Sequence, residues 1–315
     1  MDGEHEDRGT GGIRQPGYEV LEVLGRGGFA TVHRARQLSM DREVALRIDG
    51  RRLLSERDRK RFLREVTAAG RLSDHPNVVA VHDAGVREDG HPYLVLELCP
   101  GGSLADRLSR TGPLPLAEAR DIGVALADAL AAAHAAGVLH RDIKPGNVMI
   151  NRYGGVALTD FGLAALPRPG HDLSVTREAL TPAYAPPEAF RLAEPSAAGD
   201  VYSLAATVHA LLCGRPPHFP EDGGEPSLAE IIFRQTQPLS DLPGVPADLM
   251  AVLRRALAAD PAERTFDAAQ FRDALAAVDP GARTRPGTVR ARPRRAPVSR
   301  DPRRRGRRGR HGTRA

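Results

Sequence analysis

The residues with the clearest chemical potential lie in one stretch. His140-Arg141-Asp142-Ile143-Lys144-Pro145-Gly146-Asn147 puts a carboxylate, an ammonium group and an amide on one short loop, and Asp160-Phe161-Gly162 adds a second carboxylate after a short strand pair. Phosphoryl transfer needs this set: an acceptor for a hydroxyl proton, positive charge on the moving phosphate, and hard oxygen ligands for magnesium. A two-part match of this kind is rare by chance, so solvated loop charges explain it poorly. On this reading Asp142 and Lys144 are the catalytic candidates, and Asn147 and Asp160 the metal-ligand candidates.

A second motif is weaker. Gly25-Arg26-Gly27-Gly28-Phe29-Ala30-Thr31-Val32 can bring backbone N–H groups close to phosphate oxygens, because glycine carries no Cβ to interfere. It also fits the G-x-G-x-x-A dinucleotide fingerprint, with Glu43 further on, but that reading requires a helix after the loop. Thr31-Val32-His33 has strand character, which favours a strand–loop–strand phosphate clamp. Taken alone, an ordinary glycine hairpin would be the simpler interpretation.

The elements that must hold these residues fall into two regions. From Tyr18 to about Leu98 the signals are short β-prone runs at Tyr18 to Leu24, Thr31 to Ala35, Glu43 to Ile48, Val78 to Val81 and Tyr93 to Leu98. One helix interrupts them, opened by a capping box at Ser55-Glu56-Arg57-Asp58 and carrying Leu63, Val66 and Gly70 on one face. After Gly101-Gly102 the character turns helical. Pro115 suits a first helical position, and Leu116, Ala119, Ile122, Leu126 and Leu130 recur at helical spacing. Val201 to Leu212 is apolar nearly all round and predicts a buried central helix stopped by Gly214. Further helices are expected at Leu228 to Phe233, Ala247 to Leu257 and Ala268 to Val278.

Composition narrows the class. With 41% hydrophobic and 27% charged residues, the 315-residue chain is globular rather than fibrous or wholly disordered. No charge-free apolar run approaches the ~18 residues of a membrane span, and Met1 to Arg14 lacks the basic-then-apolar layout of a signal peptide. Cys99 and Cys213 are far apart, so they read as buried thiols in a reducing cytoplasm rather than a disulfide or zinc site. His82, His91 and His209 show no ligand spacing. Residues 281–315 hold 14 arginines and one acid, Asp301, which leaves 31 basic and 39 acidic residues in 1–280. The formal charge of +5 therefore hides an acidic body with a basic appendage. The appendage has no aromatic residue and is expected to be disordered. It could bind anionic partners non-specifically, but it offers no stacking platform, so sequence-specific nucleic-acid recognition is not expected.

These motifs together resemble the eukaryotic-like Ser/Thr protein kinases of bacteria, over about residues 17–280. The resemblance implies an α+β, two-lobed kinase fold: a β-rich N-lobe over about 17–98, and an α-helical C-lobe over about 99–280. Residues 1–16 would then be a flexible leader and 281–315 a tail. It further implies ATP as phosphoryl donor, magnesium or manganese as cofactor, Ser/Thr hydroxyls of proteins as acceptors, and autophosphorylation. Leu24, Gly25, Gly27 and Gly28 match the phosphate lid, and Val32 and Ala45 the roof of the adenine pocket. Met149 matches its floor, Leu96 the gatekeeper, and Glu97 to Cys99 the hinge. Glu65 matches the helix glutamate that pairs with a third-strand lysine. Asp200 matches a brace of the catalytic loop, and Arg264 an arginine that pairs with Glu188. Thr181-Pro182-Ala183-Tyr184 and Pro186-Pro187-Glu188 match the end of the activation segment, in which Ser174 and Thr176 are candidate phosphosites for Arg141 to grip. Relatives that carry a membrane span and sensor after this region imply that signal input here comes from elsewhere.

One position departs from the pattern in a way that touches chemistry. Arg47, in Val44-Ala45-Leu46-Arg47, stands where the family has lysine. Arginine keeps the charge but is longer, planar and forked, so the exchange is not conservative at a fitted site. Two readings are open. One is an impaired enzyme or pseudokinase-like nucleotide-binding scaffold. The other is a pocket adapted to arginine in a chain whose 45 basic residues include just two lysines, Lys60 and Lys144. Ala30 in place of a third loop glycine costs little if its φ is negative.

Overall fold

The computed structural model describes residues 14–27, 30–161, 182–220, 224, 226–264 and 267–281. Gly28, Gly162, Ser174, Thr176, Thr181 and nearly all of the leader and tail therefore lie outside the described residues. The chain divides into two units, Met1–Thr284 and Arg285–Ala315, and only the first holds described residues.

Five antiparallel strands form the first layer: β1 (Tyr18–Arg26), β2 (Ala30–Gln37), β3 (Arg42–Asp49), β4 (Val81–Val86) and β5 (Pro92–Glu97), in the order β1-β2-β3-β5-β4. Their alternating side chains serve two faces. Ala35, Val44, Leu46 and Val95 are fully buried on one. Ala45, Leu94 and Leu96 line the other, against which α1 (Glu56–Gly70) packs Phe62 and Val66. Ser55 caps α1 as its sequence suggests, its hydroxyl accepting the Asp58 N–H at 3.1 Å and donating to the Asp58 carboxylate at 2.7 Å. The buried stripe of α1 is Phe62, Val66 and Ala69; Leu63, expected on it, is 45% exposed, because it follows the buried Phe62 by one residue and so sits about 100° round the helix from it.

The strand expected at Val78 to Val81 begins where that run ends. Val78 and Val79 are buried, but they pair with the second region instead: the Val79 N–H donates to Leu158 O at 2.8 Å, and the Leu158 N–H donates to Asn77 O at 2.9 Å. This backbone bridge ties the sheet to the short hairpin of β6 (Val148–Ile150) and β7 (Val156–Leu158).

The second region is helical: α2 (Leu104–Thr111), α3 (Leu116–Ala135), α4 (Ala197–Cys213), α5 (Leu228–Arg234), α6 (Ala247–Ala256) and α7 (Ala268–Ala276). Every residue of α4 from Gly199 to Leu211 is buried, which matches its all-round apolar sequence, and Gly214 ends it at φ 79°. Gly123 lets α3 approach α4 and α7 closely; a Cβ there would sit 2.9 Å from Val208 and 3.0 Å from Leu275. Gly101 plays the same role between the regions, since a Cβ would lie 2.7 Å from Ile150 of β6. The Gly101 N–H donates to Ile150 O at 3.1 Å, and the Ile150 N–H to Gly102 O at 2.8 Å. The segment joining the two regions is thereby fixed to the hairpin that carries Asn147 and Asp160 at its ends.

Candidate active site

The helical side of the cleft is built on Asp200, in the first turn of α4 and 3% exposed. Its carboxylate accepts the backbone N–H groups of His140 at 2.8 Å and Arg141 at 2.7 Å, and faces His134 Nε2 at 2.9 Å. A buried carboxylate needs such donors, and here they fix the loop. They hold Arg141 at φ 72°, in the left-handed region, so the chain turns sharply just before Asp142. The Asp142 N–H donates to His140 Nδ1 at 3.3 Å. His140 is fully enclosed and packs on Phe161 with ring centroids 4.6 Å apart; burial lowers its pKa and keeps the imidazole neutral, as an acceptor nitrogen requires.

The Asp142 carboxylate is partly open to the cleft and receives two donors, Lys144 Nζ at 2.8 Å and Asn147 Nδ2 at 3.0 Å. Asn147 Nδ2 also donates to the Asp142 carbonyl at 2.7 Å, and the Thr159 N–H donates to Asn147 O at 3.0 Å. The amide nitrogen of Asn147 is therefore committed to the loop, which leaves its oxygen for another role. Asp160 follows at the end of the hairpin, at φ 68°. Hydrogen bonds thus join Asp142, Lys144 and Asn147, and Asp160 follows directly on Thr159, whose N–H Asn147 accepts.

The sheet side differs from expectation. Arg47 and Glu65 form no ion pair with each other among the described residues. Arg47 Nε lies 3.6 Å from Asp160 Oδ1, while Glu65 Oε1 accepts from Arg61 Nε at 3.1 Å. Length explains the first contact, because a guanidinium carries its charge further than an ammonium does. Helix geometry explains the second, because Arg61 lies four residues before Glu65 on the same face. Each group keeps one buried polar atom without a partner, Arg47 Nη1 and Glu65 Oε2.

The residues matched to an adenine pocket do converge. Ala45, Leu96, Cys99 and Ala157 are buried in one cluster, with Val32, Leu98 and Met149 against it. Burial raises the Cys99 thiol to about 11, so it packs as a neutral small hydrophobe. The Glu97 N–H is taken by Ala80 O at 2.9 Å. Leu24 and Gly25 lie near the end of β1, which closes at Arg26, and the Gly27 N–H donates to Ala30 O at 2.8 Å. Ala30 is not among the residues with positive φ, so the missing third glycine causes no backbone strain.

Arg264 and Glu188 pair as the resemblance implies. The guanidinium is fully buried, donates to both carboxylate oxygens at 2.6 and 2.7 Å, and lies 4.8 Å above the Tyr202 ring. Burial raises the pKa of the Tyr202 phenol. Two residues escaped the sequence reading. His134 bears on Asp200 across 66 residues, which no local pattern reveals, whereas Arg61 was visible as a basic residue one turn before Glu65.

Comparison with known proteins agrees with this geometry. Residues 18–276 match the protein kinase domain family. The chain belongs to the protein kinase family. The serine/threonine-protein kinase PknK of Mycobacterium tuberculosis is 42% identical over 268 residues, covering 84% of this chain and 24% of that protein. PknB of Mycobacterium leprae, also a serine/threonine-protein kinase, is 34% identical over 271 residues, covering 84% of this chain and 43% of its own length. This kinase-family chain thus spans less than half the length of either curated relative. The crystal structure of the Mycobacterium tuberculosis PknI kinase domain superposes with a TM-score of 0.63 at 29% identity, covering 85% of this chain and 97% of that one. The fold is the two-lobed kinase fold, with the five-stranded sheet as N-lobe and the helical region as C-lobe. Among the described residues, no helix is long and apolar enough to cross a membrane.

Proposed function

We propose that the chain is an ATP-dependent protein serine/threonine kinase. The observation that carries this is the Asp142 carboxylate, held between Lys144 and Asn147 on a loop pinned by Asp200. In the reaction, an acceptor hydroxyl oxygen bonds to the γ-phosphorus as the bond to the β-bridging oxygen breaks. The hydroxyl proton passes to Asp142, and ADP leaves. Lys144 offsets the charge growing on the phosphoryl oxygens. Positioning and electrostatics account for the acceleration, so a preassembled loop is the main requirement.

The residues fit both a nucleotide and a divalent metal. Arg47 Nη1 is a buried cationic donor without a partner, suited to a phosphate oxygen. Asn147 and Asp160 each supply a hard oxygen, suited to magnesium or manganese. Bound metal would neutralise phosphate charge. Leu24, Gly25, Gly27 and Gly28 would cover the phosphates, with the base lying between Val32, Ala45 and Met149 against Glu97 and Cys99. Arg47 and Glu65 would position the α- and β-phosphates once Arg47 leaves Asp160.

Acceptors are Ser/Thr side chains of proteins, this chain's included, with Ser174 and Thr176 as activation-segment candidates. The two free cysteines support a cytoplasmic setting. The arginine-rich tail, by its charge, supports non-specific contact with anionic partners. The test is ATP-dependent incorporation of labelled phosphate into the chain or a generic basic protein. Wild type should incorporate label and Asp142→Asn should not; equal incorporation by both would overturn the assignment.

A further inference from the structure

The outer face of α1 is a basic stripe in an acidic body. Arg57, Lys60, Arg61 and Arg64 recur at helical spacing, all exposed, and with Leu63 and the single acid Glu56 most of them line a shallow groove. Leu54 (84% exposed) and Leu63 (45%) give this face an apolar shoulder. Among the described residues, Arg57, Lys60 and Arg64 have no acidic partner, and Arg61 has only Glu65. A second groove, on the other face of the sheet, offers no such imbalance. Its arginines are already neutralised, Arg51 by Asp49 at 2.7 Å and Arg87 by Asp89 at 3.2 Å.

The chain holds a matching segment of opposite sign. Residues 1–8 contain Asp2, Glu4, Glu6 and Asp7 against one arginine, Arg8. The described backbone starts at Arg14, which is tied through the β4–β5 turn to the segment leading into α1: Arg87 Nη1 donates to Arg14 O at 3.2 Å, Arg87 pairs with Asp89, and Arg52 Nε donates to Asp89 O at 2.6 Å, three residues before the Ser55 cap. From Arg14, residues 6 to 2 can reach roughly 26–40 Å when extended, whereas Arg57 to Arg64 covers roughly 10 Å of helix.

We infer that the acidic leader, Asp2 to Asp7, docks in cis on the basic face of α1. Its carboxylates compete with Glu65 for Arg61. Once released, Glu65 can turn its unpartnered oxygen toward the unpartnered guanidinium nitrogen of Arg47. This consequence rests on the kinase reading; the docking itself does not.

Lys60 makes the docking testable, since Lys144 is the chain's one other lysine. A carbodiimide joins an amine only to a carboxylate that touches it. In the full chain at low salt, Lys60 should be joined to Asp2, Glu4, Glu6 or Asp7, and the product should fade at 1 M salt, where charges are screened within ~3 Å. In a mixture of isotopically labelled and unlabelled chains, the joined peptides should come from single copies. Linkage to none of the four acids, or linkage only between copies, would overturn the inference. A second arm reads the coupling. Replacing all four acids (Asp2→Asn, Glu4→Gln, Glu6→Gln, Asp7→Asn) should lower phosphate transfer severalfold in the wild-type background and leave an Arg61→Gln chain unaffected. Equal losses in both would refute the Arg61 route. Linkage as expected, with no transfer in any variant, would support the docking and remove the kinase assignment.

Discussion

The two walls of the cleft are built differently. In the C-lobe, the charged groups are mutually satisfied: Asp200 by three donors, Asp142 by Lys144 and Asn147, and Glu188 by a fully buried Arg264, while the neutral His140 keeps one buried ring nitrogen, Nε2, without a partner. On the N-lobe wall, Arg47 and Glu65 hold makeshift partners and each buries an atom with none. An unsatisfied buried polar atom costs about 1–3 kcal/mol. The C-lobe wall is therefore assembled before substrate arrives, and the N-lobe wall is the part a triphosphate would complete. On the proposed reading, transfer chemistry and its control sit on opposite sides of one cleft.

Four perturbations would break or sharpen this contrast. The largest effect is expected at Asp142. Asp142→Asn removes the proposed proton acceptor and should cut transfer by about 10²- to 10⁴-fold, with nucleotide affinity and melting temperature little changed. A variant that loses nucleotide binding as well would mean that the two walls are not separable.

Next comes the C-lobe platform. Arg264→Ala leaves the largely enclosed Glu188 without its partner and should cost about 3–5 kcal/mol in chemical denaturation. A loss below ~1 kcal/mol would place this pair among weak surface pairs.

The platform also carries a pH signature. Burial lowers His209 of α4 to about 4. Between pH 6.5 and 4 the unfolded chain takes up a proton at this site that the folded chain refuses, so stability falls as pH falls through that window. The contribution is at most roughly 3 kcal/mol, and His209→Gln should flatten the slope of denaturation midpoint against pH. An unchanged slope would assign the acid sensitivity to other buried histidines.

The smallest effect is expected on the N-lobe wall. Arg47→Lys withdraws the charge from Asp160 and should raise transfer about three- to tenfold, no more than ~1.4 kcal/mol of barrier. A decrease would show that the pocket is fitted to arginine.

The difference between the walls also explains what the sequence revealed. The catalytic loop was legible because its groups lie within a few residues of one another, so spacing alone fixes their meeting. The buried stripe that makes α4 central, and the capping of α1 by Ser55, were legible for the same local reason. Arg47 was legible as a departure but not in its consequence. Whether its guanidinium meets Glu65 or Asp160 depends on where α1 and the hairpin end stand relative to β3, a tertiary fact. The bridge from Val79 to Leu158 was hidden likewise, since a β-prone run does not announce its partner. His134 was the least visible, its role arising only where α3 passes the first turn of α4.

The most direct test is a crystal structure of the full chain with magnesium and a non-hydrolysable ATP analogue. Arg47 should leave Asp160 for a phosphate and Glu65, while the contacts of Asp200 with His134, His140 and Arg141 stay within hydrogen-bond distance. A nucleotide bound with Arg47 still on Asp160, or an Asp200 platform that rearranges to receive it, would contradict the division between a preassembled wall and one completed by substrate.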